Sequence, residues 1–491
     1  MRFDSSRGSF NPWNDYLGVL MQQGRVQLDS DWNEWLAECA RLIAAGTLDA
    51  LGRAAYPVNT APDAFRIIAS ITNGPQIFIG PGRMYVDGLL AENHDYLPSA
   101  QWDPALAEMS SISPQASSAT PTGMIDFTKQ PYYPNATFDG NSPLVVYLDV
   151  WVRSVTYLEN SNLVDNAVAV DTTRRLQTIW QVKTLSVPVA TTCSDLNSSI
   201  SNWPPAASAG QLTTKVVPSA ASAPGLTDDP GYTGMENQLY RVEIHQAGPS
   251  GSASFKWSRN NGSVATLVTA ITTAGITNSA GEPASQLTVQ SMGRNQALRF
   301  APGDWIEITD DNHEFNGQSG ELHQIDSINV SAGIITLVDS LLTPGTFPLT
   351  NGLTNPARRT RVTRWDQSGQ ISAVDANGEL TDYFNLDSNL GTAGQGAINV
   401  PPPGTTLLLE NGITVSFNSG SSSTNGSFNT GDFWNFAART ADGSLEQLTN
   451  APPRGIHHHY APLSVVTFSG TTTLPAFTDC RTPWSPLVKE M

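Results

Sequence analysis

Three consecutive histidines, His457, His458 and His459 in the stretch GIHHHYAPLSVV (455–466), are the first residues here that could do chemistry. On a strand, side chains alternate faces, so His457 and His459 would share one face and His458 the other. One chain then offers two imidazole nitrogens to a metal, whereas structural zinc takes four ligands. In a trimer, two histidines from each chain could meet on the axis, which makes His457 and His459 the metal alternative. With no carboxylate or cysteine nearby in sequence, the expectation is a structural role and no metal. A second group is TDDNHEFNG (309–317), where Asp310, Asn312 and Glu314 alternate as contacts for a hard cation or a glycan would. The glycine that an EF-hand loop needs at its sixth position is Phe315 here, so the other reading is a solvated hairpin loop. Asp149 and Arg153 fall on one strand face, and Glu307 lies close to Asp310. Paired carboxylates can cleave glycosides. No GxSxG, P-loop, HExxH or GxGxxG motif is present, so neither a catalytic residue nor a cofactor is expected.

The elements that must position these groups are read from composition and periodicity. With 491 residues, 14% of them charged, and 40 Gly and 33 Pro, the chain has too little charge for long amphipathic helices and many turn formers. That pattern predicts a mainly β protein of several β-sandwich or β-barrel domains in series, with a short N-terminal helical segment. A net charge of -18 opposes binding to nucleic acid or to anionic membrane surfaces. The N-terminus has no apolar signal region and no stretch is long enough to insert in a bilayer, so synthesis in a reducing cytoplasm without a signal peptide is expected. Cys39, Cys193 and Cys480 are odd in number, far apart and without CxxC spacing. They speak against a disulfide scaffold and a thiolate zinc site.

Residues 1–56 read as an arm and an amphipathic helix. In LDSDWNEWLAECARLIAAGTLDALG, Trp32, Trp35, Leu36, Cys39, Leu42 and Ile43 recur at helical spacing. Asp31 and Glu34 resemble a capping box, and Gly46 or Gly52 could end the helix. The stripe Trp32, Trp35 and Leu36 either packs on the first β-domain or docks into a neighbouring subunit. Period-two segments then predict a first β-domain at 57–190, with 144–159 pairing 173–185 and a polar loop at 110–123. A Ser/Ala/Pro-rich linker or loop follows at 191–234, then a barrel-like domain at 235–365 and a C-terminal β-domain at 366–491. FAPGDW (300–305) and FNTGDFW (428–434) echo one another and predict one turn device used twice.

Longer strings resemble known sequences. NPWNDYLGVLMQQGRVQLDSDWNEWLAE (11–38) is similar to the opening of an uncharacterised bacterial family found among phage-tail-like particles and contractile injection systems. GRMYVDGLLAEN (82–93), VVYLDVWVRSVTYLE (145–159), DTTRRLQTIWQVK (171–183), FKWSRNNGSVAT (255–266) and TGDFWNFAART (430–440) resemble tail-fibre and baseplate strings in the same order. Where that family usually has Gly-Gly-Pro before Asp-Thr-Thr, this chain has Ala169-Val170 before Asp171. A pair of histidines spaced HxH also resembles the iron-binding arrangement of some phage spike tips.

The resemblance implies a structural subunit of a phage-tail-like particle, at the baseplate periphery or in a fibre-like appendage. Its partners would be copies of itself in a trimer or ring, together with other tail or baseplate proteins. Its place would be a particle that is cytoplasmic or released on lysis. The alternatives are a fibre that binds a cell-surface glycan and a polysaccharide-degrading tailspike.

Overall fold

The computed structural model describes residues 5–72, 74–94, 123–168, 170–197, 200, 202–217, 231–341, 345–375, 378–392, 394–419, 427–468 and 475–485. The polar loop expected at 110–123 lies outside the described residues except for Gly123, and so does Ala169. The chain is mainly β, built from sandwich and barrel bodies, with one long helix, Asp29–Leu51, near the N-terminus.

The first body is organised by Leu144–Val155, which pairs along its whole length with Arg175–Ser186. Its near-continuous apolar run is explained by burial on both faces. Leu144, Val146, Leu148 and Val150 enter one core, and Val145 and Tyr147 a second, smaller one. Its other edge takes His459–Thr467, followed outward by Ala476–Asp479. A hairpin of Gly82–Val86 and Leu89–Asn93 supplies Met84, Val86 and Ala91 to the larger core. Its turn places Asp87 and Gly88 at φ 44° and 84°, which is why an Asp-Gly pair stands there.

The second body is a sandwich. One sheet runs Gln211–Val216, Ile413–Asn418, Thr406–Leu408, Gln370–Val374, Leu380–Asn385. The facing sheet runs Ile398–Asn399, Ser254–Arg259, Gln238–Gln246, Phe433–Ala438. Tyr240, Phe255, Phe417, Trp434 and Phe436 fill the space between. The third body is a closed six-stranded barrel: Ala265–Thr272, Gln286–Val289, Ile334–Leu337, Glu321–Asn329, Trp305–Thr309 and Arg361–Trp365, with the last pairing back to the first. Closure leaves those strands without free edges.

These pairings correct the boundaries drawn from composition. The barrel is an excursion from the sandwich, and the sandwich is an excursion from the first body. Residues 235–365 are therefore divided, since Gln238–Gln246 and Ser254–Arg259 belong to the sandwich rather than the barrel. Part of 191–234 is a strand, Gln211–Val216. The C-terminal β-domain expected at 366–491 is divided too: His459–Thr467 completes the first sheet, about 300 residues from its neighbour in sequence. The same return brings Cys480 to Cys193, and the two form a disulfide across 287 residues while Cys39 stays free. The reading of three unrelated cysteines is corrected accordingly.

The echoed turns are one device. In both, a fully buried Phe (Phe300, Phe428) precedes a glycine at φ near 86° (Gly303 at 87°, Gly431 at 85°). The following aspartate closes the loop by accepting a backbone N–H three residues back: Ala301 donates to Asp304 and Asn429 to Asp432, each at 2.8 Å.

Candidate functional site

Two regions stand apart from ordinary β-core. The first is the N-terminal arm with its helix. Ser5–Ser9 is tied to the body: the Ser6 N–H donates to Asp29 at 2.9 Å, Ser9 Oγ to the Ser30 carbonyl at 3.2 Å, and Arg439 to the Ser6 carbonyl. Beyond it the chain bears Trp13 at 89% exposure and Leu20 at 91%, with Tyr16, Leu17, Met21 and Val26 also exposed. The helix then starts with the Leu28 N–H donating to Asp31 at 3.0 Å, and it ends at Gly52. Its turn toward the body carries Ser30 and Glu38, both buried, and a cramped approach of Ala44 to Gly88. Trp32, Trp35, Leu36, Leu42 and Ile43 lie outward, with Trp32 at 57% exposure. Trp32 and Trp35 meet edge to face, 5.1 Å between centroids. Trp35 and Leu36 of the stripe are 42% and 44% exposed. Among the described residues, half of all exposed large apolar side chains, twelve of twenty-four, fall between positions 13 and 43.

The second region is the junction of the three bodies, where charges are buried. A one-turn helix, Asp311–Phe315, is capped by Asp310, whose carboxylate accepts from the His313 backbone at 3.0 Å and contacts its ring at 2.7 Å. Arg358 pairs with Asp310 at 2.6 Å. Burial alone would raise the Asp310 carboxyl, but the bonds from His313 and Arg358 outweigh it and hold it below its ordinary value. Asp311 accepts from Arg359 at 2.6 Å and Arg361 at 2.8 Å. Glu314 accepts from Arg361 at 2.6 Å and from Arg153, on the first body, at 3.4 Å. Of the cation or glycan contacts expected at Asp310, Asn312 and Glu314, both carboxylates are engaged by arginines instead, and the Asn312 backbone carbonyl accepts from the Asn316 side chain. The loop is a clamp between bodies.

Beside it, Lys256 bridges Glu307 at 2.5 Å and Glu243 at 3.3 Å, while Arg241 holds Glu243 at 2.6 Å. Glu307 also accepts from Trp365 Nε1 at 3.0 Å. Burial would raise Glu243, but Arg241 and Lys256 outweigh it and hold it far down. His245 is pushed down to about 4 by burial and by Lys256. Alternation on QLYRVEIHQ puts Arg241, Glu243 and His245 on one face. That polar stripe in an otherwise apolar strand was the signal by which the sequence could have disclosed this site.

The histidines divide as their alternation predicted. His458 pairs with the buried Asp149 at 2.8 Å, and Lys183 takes the other oxygen at 2.7 Å. Burial would raise Asp149, but these partners keep it low. Tyr460 follows His458 in direction and stacks on it at 11°. His459 contacts Asp87 at 3.2 Å, and both His457 and His459 line the junction cavity. Pro462 is accommodated by a register shift before Ser464. Among the described residues, no three His, Cys, Asp or Glu side chains gather to hold a metal.

That cavity has a volume of about 490 Å³ and touches all three bodies. Six Lys or Arg side chains line it against four carboxylates, a local cationic excess in a chain of net charge -18.

No curated protein and no solved structure matches the chain. A family model does, over residues 1–214 and 189–489, and with nearly the whole length covered the chain belongs to that family, a family of unknown function (DUF6519).

Proposed function

We propose that the protein is a structural subunit of a phage-tail-like particle, at the baseplate periphery or in a fibre-like appendage, that joins copies of itself into a trimer or ring. The observation that carries the reading is the outward apolar run from Trp13 to Ile43. Apolar patches of this extent mark association surfaces, and each large side chain covered contributes roughly 1.5–3 kcal/mol. A second copy offers a matching surface, since Leu90, Val152 and Leu176 are exposed on the first body. The resemblance of 11–38 to a family found among phage-tail-like particles, and of 82–93 to tail-fibre and baseplate strings, supports the particle. The engagement of Asp310 and Glu314 in ion pairs supports a scaffold over a glycosidase.

Sedimentation velocity over a concentration series tests the assembly. The wild-type chain is expected to form a closed oligomer, and the Trp32→Ala/Trp35→Ala double variant to remain a folded monomer. A wild-type chain that stays monomeric throughout, or a double variant that assembles normally, overturns the reading. Neighbouring genes for sheath, tube and baseplate proteins would support the particle, and their absence would count against it.

A further inference from the structure

We propose that the junction cavity is a small-molecule site that holds an oxyanion group, carboxylate or phosphate, on the Nη1 edge of Arg241. This goes beyond assembly and rests on different residues. Arg241 is only 2% exposed, yet its Nη1 has no hydrogen-bond partner, while its Nε and Nη2 are both spent on Glu243. Leaving a buried guanidinium donor unmade is costly, so such a group is normally matched.

The guanidinium is also fixed in place. Its Cζ lies over the Phe433 ring, 3.8 Å from the centroid, and the two bonds to Glu243 hold its orientation. Arg241 and Arg174 both line the cavity, and the charge of each bears on the other: Arg174 is pushed down to about 10, by burial first and then by Arg241. Guanidiniums recognise carboxylate or phosphate by paired N–H donors, and Arg241 and Arg174 both face this space. Arg454, whose backbone N–H donates to the Phe433 carbonyl at 2.8 Å, also lines the cavity, with its Nη2 donating to Glu446 at 3.0 Å.

The volume of about 490 Å³ falls within the range of ordinary small-molecule sites. The lining is also mixed in the way such sites are. Trp151 and Trp365 offer apolar faces, and Thr309, Thr363 and Ser319 offer hydroxyls for the body of the ligand.

Calorimetric titration of the full chain with inorganic phosphate and, separately, with malonate tests this at constant ionic strength set by sodium chloride. One of the two anions should give saturable binding with one site per chain, and which one does identifies the group. Arg241→Lys keeps a charge against Glu243 but removes Nη1, and should weaken that binding at least tenfold. Arg66→Gln, on the surface, should leave it unchanged. Wild-type crystals soaked in selenate provide a reading that does not depend on the variant folding: an anomalous peak is expected within hydrogen-bond reach of Arg241 Nη1. Absence of saturable heat with both anions, equal binding by Arg241→Lys, or no peak at Arg241 overturns the proposal.

Discussion

At the junction, ionised side chains are taken out of water and matched one against another; between Trp13 and Ile43, large apolar side chains are left exposed to water. The two regions break opposite halves of the usual rule of burial. A buried ion pair adds little stability over an apolar contact of the same shape, but it is directional, and losing one partner strands the other. Arg153, Glu159, Asp311, Glu314 and Arg361 thus fix how the first body and the barrel meet. The arm instead meets the rest of the chain through hydrogen bonds of Ser6, Arg7 and Ser9. The contrast separates bodies joined by directional contacts from an element whose large apolar side chains are exposed.

The largest effect should come from breaking the junction. Asp311→Ala leaves Arg153 and Arg361 buried beside an empty position and should cost about 3–5 kcal/mol in urea unfolding. A loss below about 1 kcal/mol would mean that the junction is wet and its charges loosely held.

Next is an acid limb owed to His245. Its pKa in the folded protein, about 4, lies below the ordinary 6.5. The buried neutral ring therefore contributes stability that is complete above pH 6.5 and lost as pH falls toward 4. The loss should be on the order of 3 kcal/mol. His245→Gln should flatten the melting temperature between pH 4 and 6.5, and an unchanged slope would assign the acid limb to other groups.

The two echoed turns should respond alike and more weakly. Gly303→Ala and Gly431→Ala each force a side chain into a left-handed conformation, at about 1–2 kcal/mol. A Cβ at 303 meets nothing, whereas one at 431 comes within 3.4 Å of Ile456, so the second should be the costlier by a small margin. Thermal unfolding in which only one of the pair is sensitive would separate the turns.

The smallest effect sharpens the comparison most. Trp32→Ala/Trp35→Ala, measured at concentrations where the protein is monomeric, should change unfolding free energy by no more than about 0.5 kcal/mol. A loss of about 2 kcal/mol would mean that the stripe packs on its own chain.

What the sequence disclosed was local. The Asp87-Gly88 turn, the pairing of 144–159 with 173–185, the helix to Gly52 and the repeated Phe-to-Gly-Asp turn depend on residues a few positions apart, and periodicity shows them directly. The remainder depends on contacts that leave no period. Asp310 and Glu314 look like cation ligands because their real partners are elsewhere, Arg361 47 residues and Arg153 161 residues from Glu314. His459–Thr467 reads as the end of a last domain because nothing in it names Leu144–Val155. Cys193 and Cys480 look unrelated for the same reason. Nor could spacing reveal the spare nitrogen of Arg241, which appears only when Phe433 and Glu243 are in place around it.

The return of His459–Thr467 to the first sheet also sets a schedule for synthesis. Leu144–Val155 and Arg175–Ser186 leave the ribosome early, but the strand that covers the open edge of Leu144–Val155 follows only after the sandwich and barrel have been made. At about 5–20 residues per second, that edge waits roughly 15–55 s for its partner. Throughout that interval it presents an apolar strand able to pair with a neighbouring nascent chain. Slow translation or high expression should therefore favour aggregation, whereas a chaperone that shields the edge should raise the yield of folded protein without altering its final stability.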